Sequence, residues 1–128
     1  MKLQPEQHKF TLDIAKLIIK AAAIGVELTF GEAYRTMDQQ LLYYYGRTIK
    51  LLDGQLHLES ANRKSRTMVS NHMKRLAIDF NFFINGKLNY TDPKIEELGR
   101  YWESLNQHNR WGGNFTGFYD SPHFERNI

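Results

Sequence analysis

Phe10, Ile14, Leu17, Ile18, Ala21 and Ile24 recur at spacings of three and four residues. That period predicts an amphipathic helix opening near Pro5-Glu6 and stopping at Gly25. Val26, Leu28 and Phe30 then alternate, which predicts a short strand ending at Gly31. Thr36-Met37-Asp38-Gln39 has the form of a capping box and opens a second helix through Tyr43, Tyr44 and Tyr45, expected in the core, to Gly46. Residues 47–70 show no sustained period and read as a long loop, with at most a small hairpin around Asp53-Gly54.

Alternation returns at Leu76, Ile78, Phe80 and Phe82, with Ala77, Asp79 and Asn81 facing the other way. Asn85-Gly86 is the strongest hairpin signal in the chain and pairs this strand with residues 87–90. Thr91-Asp92-Pro93 opens a third helix that buries Ile95, Leu98, Tyr101, Trp102 and Leu105. The last twenty residues read as short strands and turns. Together the elements predict an α+β fold, helices packed on a small antiparallel sheet.

The length of 128 residues suits one domain spanning 1–128. Without cysteine there is no disulfide framework and no thiolate ligand, so any metal must be held by nitrogen and oxygen. The first residues lack the apolar run of a secretory signal, and Lys16, Lys20 and Glu27 interrupt the most apolar stretch, which excludes a membrane span there. The expectation is a chain made in the cytoplasm, monomeric, not inserted in a membrane and without a wall-binding module.

Net charge is +3, but residues 47–75 carry seven Lys and Arg against Asp53 and Glu59. Such a stripe is either a solvated face or a surface for a polyanion.

The candidate chemistry lies in Ser70-Asn71-His72, in Asp79, and in Asp120-Ser121-Pro122-His123. On a straight strand His72 and Asp79 would sit roughly 23 Å apart, at about 3.3 Å per residue, so the chain must turn at 73–75 for them to share an ion. A carboxylate inside an apolar strand is costly to bury unless paired or bound to metal. Two imidazoles and one carboxylate make the three-ligand set of a catalytic zinc, and Asp120 could then act as general base. The alternative at each position is an ordinary surface or capping residue.

Ser70-x-His72-x₃-Leu76-Ala77-x-Asp79 followed by Asp120-x-x-His123 resembles the zinc peptidases that cleave peptidoglycan stem peptides. These are the D-Ala-D-Ala carboxypeptidases and dipeptidases and the phage L-alanyl-D-glutamate endolysins. Tyr34-Arg35-Thr36 with Gln39 or Gln40 is similar to the family's Arg-Thr…Gln segment, and Trp111-Gly112-Gly113 to the aromatic segment before the last ligand. The resemblance covers residues 9–126, with one departure: Arg75 stands where the family has glycine.

What the resemblance implies is a hedgehog/D-Ala-D-Ala-peptidase-like fold with a zinc cleft. His72, Asp79 and His123 would hold Zn²⁺, Asp120 would be the base, and Arg35 would stabilise the oxyanion. Ser70, Trp111 and Gln40 would meet substrate, although Ser70 could instead shape its loop and Trp111 could belong to the core. Glu125 would either orient a ligand imidazole or sit on an exposed strand end. The substrate would be peptidoglycan, cut at L-alanyl-D-glutamate by a lysis enzyme released to the wall. The rivals are a D-Ala-D-Ala carboxypeptidase, an inactive zinc-bearing relative, and a small basic nucleic-acid-binding protein. The zinc reading requires the imidazoles of His72 and His123 to lie within about 6 Å of each other, with Asp79 facing both.

Overall fold

The computed structural model describes residues 2–128. Helix α1 (Leu3–Ala23) leads into β1 (Glu27–Phe30), followed by α2 (Met37–Tyr45), β2 (Arg47–Leu52) and β3 (Gln55–Ser60). After a long loop come β4 (Ala77–Ile84), β5 (Lys87–Leu88), α3 (Pro93–Leu105), β6 (Asn109–Trp111) and β7 (His123–Arg126). The main sheet is antiparallel, in the order β1-β4-β7-β6, with β5 added at the end of β4. This is the α+β architecture the pattern predicts.

Local signals explain most boundaries. Thr36 caps α2 by accepting a hydrogen bond from the Gln39 amide, and Gly46 ends the helix at φ 66°. Asp92 caps α3 in the same way, with Pro93 in the first turn. Asn85 and Gly86, at φ 53° and 76°, make the two-residue turn between β4 and β5.

The core lies between the sheet and helices α1 and α3. Phe80, Phe82 and Phe124 from the sheet meet Leu17, Leu98 and Trp102 from the helices, all shielded from solvent. Phe124 stacks edge-on against Phe80, Phe82 and Trp102. Strand β4 therefore buries one face in this core and turns Asp79 to the other.

Behind β7 sits a charged cluster. The buried Arg126 guanidinium donates to Glu6 at 2.6 Å and lies 3.7 Å from Asp13, both on α1. Asn109 of β6 donates to Asp13 at 3.1 Å. A buried arginine with two carboxylates keeps its charge compensated, so the cluster fixes the last strand against the first helix.

Two expectations need correction. Residues 47–60 are not loop but a two-stranded ribbon, β2 paired with β3 from Arg47↔Ser60 to Leu52↔Gln55 around an Asp53-Gly54 turn. Only residues 61–76 form the long connection. The tyrosines of α2 are not core either: Tyr43 and Tyr44 are half-buried and Tyr45 is exposed. Helix α2 sits outside the main sheet and contacts the ribbon, so its apolar positions have no core to enter.

Candidate metal centre and cleft

Strand β4 pairs with β7 in the register Asp79↔His123, which puts these two side chains directly opposite each other. Upstream, the 70–75 segment folds back on itself through amide bonds from Met73 to Ser70, Lys74 to Asn71 and Arg75 to His72. That turn brings His72 beside the strand. The rings of His72 and His123 lie 5.0 Å apart, centroid to centroid. One ligand atom each from His72, Asp79 and His123 fall within 4.8 Å of one another. Asp79 Oδ1 is 3.1 Å from His123 Nδ1, and Oδ2 is 3.4 Å from His72 Nε2. Donor atoms of a tetrahedral zinc site stand about 3.4 Å apart, so the set fits such an ion with little movement.

The surrounding bonds assign the nitrogens. His72 Nδ1 faces the Ala33 carbonyl at 3.0 Å. A carbonyl only accepts, so Nδ1 carries the proton and Nε2 turns its lone pair to the site. His123 Nε2 lies 2.7 Å from Glu125 Oε1, and Arg110 donates through Nε and Nη2 to Glu125 Oε2. Glu125 thus holds the Nε2 proton and leaves Nδ1 for the metal. Of the two readings of Glu125, the structure shows the buried one that orients an imidazole. Arg110 has no counterpart in the sequence reading; alternation along β6 and β7, which pairs Arg110 with Glu125, is the signal that could have found it.

Charge follows from this packing. Burial alone would push the Asp79 carboxyl up, but the hydrogen bond and charge of the His123 imidazole hold it well below the ordinary range. For Glu125, burial is likewise outweighed by the His123 and Arg110 bonds, which bring it down to about 2. His123 is opposed by burial yet lifted to about 9 by its two carboxylate partners. The site as it stands is an imidazolium clamped between two carboxylates, and a divalent cation held there would take the place of the proton on Nδ1.

Asp120 lines the same cleft, a cavity of about 390 Å³. Burial raises its carboxyl above the usual value, helped by the negative charge of Asp79. Its turn depends on Gly112, whose amide region it crosses so closely that a Cβ there would stand 2.1 Å from the Asp120 carbonyl oxygen. The His123 amide donates to that same carbonyl, which sets the step from Asp120 to the strand.

Arg35 reaches the cleft from the segment between β1 and α2, where its amide donates to the His72 carbonyl. Its guanidinium pairs with Glu32, donates to Gln40 Oε1 at 2.9 Å and to Ser70 Oγ at 3.3 Å, and lies over the Tyr43 ring. The arginine is thus held by several partners at once. Ser70 lines the cleft while its hydroxyl also accepts from the His72 amide.

Two substrate-contact expectations are corrected. Gln40 is fully buried; its amide donates to Ser65 Oγ and the Thr67 carbonyl while its oxygen receives Arg35, so it braces the cleft wall and does not line it. Trp111 is core. Its ring is wedged against Gly99 and Gly113, where a Cβ would stand 2.2 Å from ring atoms, and its indole N–H donates to the Ser121 carbonyl. The aromatic side chains that do line the cleft are Phe115 and Phe118.

Arg75 adopts φ 56°, the left-handed region its family glycine would enter freely, and its guanidinium stacks 4.0 Å over Tyr34. His8, His57 and His108 are not among the residues lining the cleft.

The family described as D-alanyl-D-alanine carboxypeptidase matches residues 63–126, half of the chain, and this protein belongs to that family of peptidases. Among solved structures it resembles the Serratia marcescens L-Ala D-Glu endopeptidase ChiX, with a TM-score of 0.63 and 19% identity over 90% of this chain and 78% of that one. No curated protein sequence matches it.

Proposed function

We propose that the chain is a zinc-dependent peptidase of the peptidoglycan stem peptide, acting as an L-alanyl-D-glutamate endopeptidase in cell lysis. The observation that carries the reading is the convergence of His72, Asp79 and His123, from three separate segments, beside the half-buried Asp120 in an open cleft. When bound there, zinc supplies Lewis acidity, polarising the scissile carbonyl and bringing the pKa of water toward about 7.

The chain's own residues do the rest. Asp120, its carboxyl raised by burial, takes the proton of the attacking water and hands it to the leaving amine as the C–N bond breaks. Arg35 donates to the oxygen that gains charge as the carbonyl carbon becomes tetrahedral. Because Glu32, Gln40 and Ser70 already fix its guanidinium, little reorganisation accompanies that step. Phe115 and Phe118 flank the substrate, and Lys64, Lys74 and Arg110 give the cleft the positive charge that a carboxylate-bearing peptide requires.

Digestion of purified sacculi by the zinc-loaded enzyme, read by mass spectrometry, tests the reading. New N-terminal D-glutamate is the expected product. Released free D-alanine would make the chain a D-Ala-D-Ala carboxypeptidase instead. Stoichiometric zinc without turnover on any wall preparation would make it an inactive relative.

A further inference from the structure

The β2–β3 ribbon carries an apolar face that the described residues leave largely exposed. By strand alternation and register, Ile49, Leu51, Leu56 and Leu58 share one side, as the cross-strand pairs Ile49↔Leu58 and Leu51↔Leu56. Their exposures are 53%, 69%, 76% and 65%. The opposite side is mainly polar, with Lys50 paired to Glu59 at 3.2 Å and His57 beside it. Two strands alone are marginal in water, and four adjacent bare aliphatics invite a partner.

The surroundings select its chemistry. At the ribbon's root, Tyr44 packs edge-on against the exposed Tyr45, and Arg63 lies over Tyr44. Arg47 and Lys64 line a cavity of about 320 Å³ between the ribbon and α2. Aliphatic side chains beyond a collar of tyrosine and arginine match the layers of a bilayer surface, acyl chains under polar and anionic headgroups. A second copy of the chain would bring Arg47, on the apolar side of the ribbon, and Arg63 at its root against their own kind. A nucleic acid would find aliphatics where it needs stacking rings.

We propose that the Ile49/Leu51/Leu56/Leu58 face docks the protein on an anionic lipid bilayer. The ribbon lies flat, so that Asp53 in its turn and the Lys50–Glu59 pair stay among headgroups. Adsorption is peripheral; among the described residues no helix is long and apolar enough to span. This inference is independent of the peptidase reading.

The test is co-sedimentation of the full chain with vesicles of phosphatidylcholine mixed with phosphatidylglycerol, beside vesicles of phosphatidylcholine alone. Binding is expected to the anionic vesicles, to fall with added salt, and to weaken at least about tenfold in the double variant Leu51→Gln/Leu56→Gln. Because neither leucine packs on the core, the variant should keep its melting temperature. Equal binding by the double variant, equal binding to neutral vesicles, or no binding to anionic ones would overturn the proposal. So would a wild-type dimer in sedimentation velocity that the variant abolishes, which would assign the face to a second copy. Adhesion to sacculi but not vesicles, lost in the variant, would assign it to a wall polymer.

Discussion

The ribbon at 47–60 and the cleft formed by 70–79 and 120–125 are both made of short strands and tight turns, yet they handle their side chains in opposite ways. In the cleft, His72, Asp79, His123, Glu125 and Arg110 form an unbroken chain of contacts, and each polar atom is aimed by the next. In the ribbon, backbone pairing is complete while the leucines pack only on their cross-strand neighbours and stay largely open to solvent. The cleft's geometry is fixed in advance of any ligand; the ribbon's side chains acquire a setting only when something adsorbs to them. A substitution in the first therefore propagates, and one in the second stays local.

The sharpest way to break this contrast is to remove the carboxylate between the imidazoles. Asp79→Ala should weaken zinc binding more than about 100-fold, beyond the range for residues that only support a ligand, as measured by chelator competition. Retention of tight zinc would show that the three side chains do not act together. Next in size, Glu125→Ala should cost about 10–100-fold in zinc affinity, Glu125→Gln less because an acceptor for His123 Nε2 remains, and Arg110→Ala toward the lower end because that side chain is half-exposed. Isothermal titration with a competing chelator would rank the three.

Acidity gives a third handle, on the metal-free protein. The His123 value of about 9 lies above its ordinary 6.5, so its contribution is complete below pH 6.5 and is lost as pH rises through 9. Glu125, lowered from 4.5 to about 2, contributes above pH 4.5 and loses this as pH falls through 2, with Asp79 shifting in the same direction. Thermal melts should therefore be highest between pH 4.5 and 6.5 and decline on both sides. Zinc should remove the alkaline decline, since it replaces the Nδ1 proton. An unchanged melting temperature from pH 6 to 10 without metal would contradict the imidazolium clamp.

The smallest effect is expected at Arg75. Arg75→Gly relieves a left-handed backbone cost of about 1 kcal/mol but gives up the stack on Tyr34, worth about as much, and should leave stability nearly unchanged. Arg75→Ala keeps the strain, loses the stack, and should destabilise by about 0.5–1 kcal/mol in urea denaturation. A stabilised alanine variant would show that the ring contact does no holding.

Much of this was legible in the sequence because it was periodic or punctuated. The stripe of α1, the alternation of β4, the Asn85-Gly86 turn and the Asp92-Pro93 cap each mark an element that forms as read. The ligand set could be proposed from its residue types and was strengthened by the resemblance, but its convergence depends on the β4–β7 register and the turn at 73–75, which no local spacing encodes. Of the ribbon only a small hairpin at Asp53-Gly54 was legible, and its length was not, because Ile49, Leu51, Leu56 and Leu58 alternate for only two steps per strand. Gln40 reads as a substrate contact, and Trp111 as either that or core, because a residue beside a motif can as easily support it from behind, and only burial distinguishes the two.

Strand β7 is four residues long, and it is gripped on both sides: His123 and Glu125 toward the cleft, Arg126 into the Glu6 and Asp13 carboxylates of α1. It cannot swing out on its own, because local opening would have to strip a buried guanidinium from the first helix. Its amide hydrogens should exchange with deuterium on the timescale of whole-molecule unfolding rather than of loop fluctuation. The N-terminal helix, which lends no side chain to the cleft lining, thereby governs how long the reacting groups remain in place.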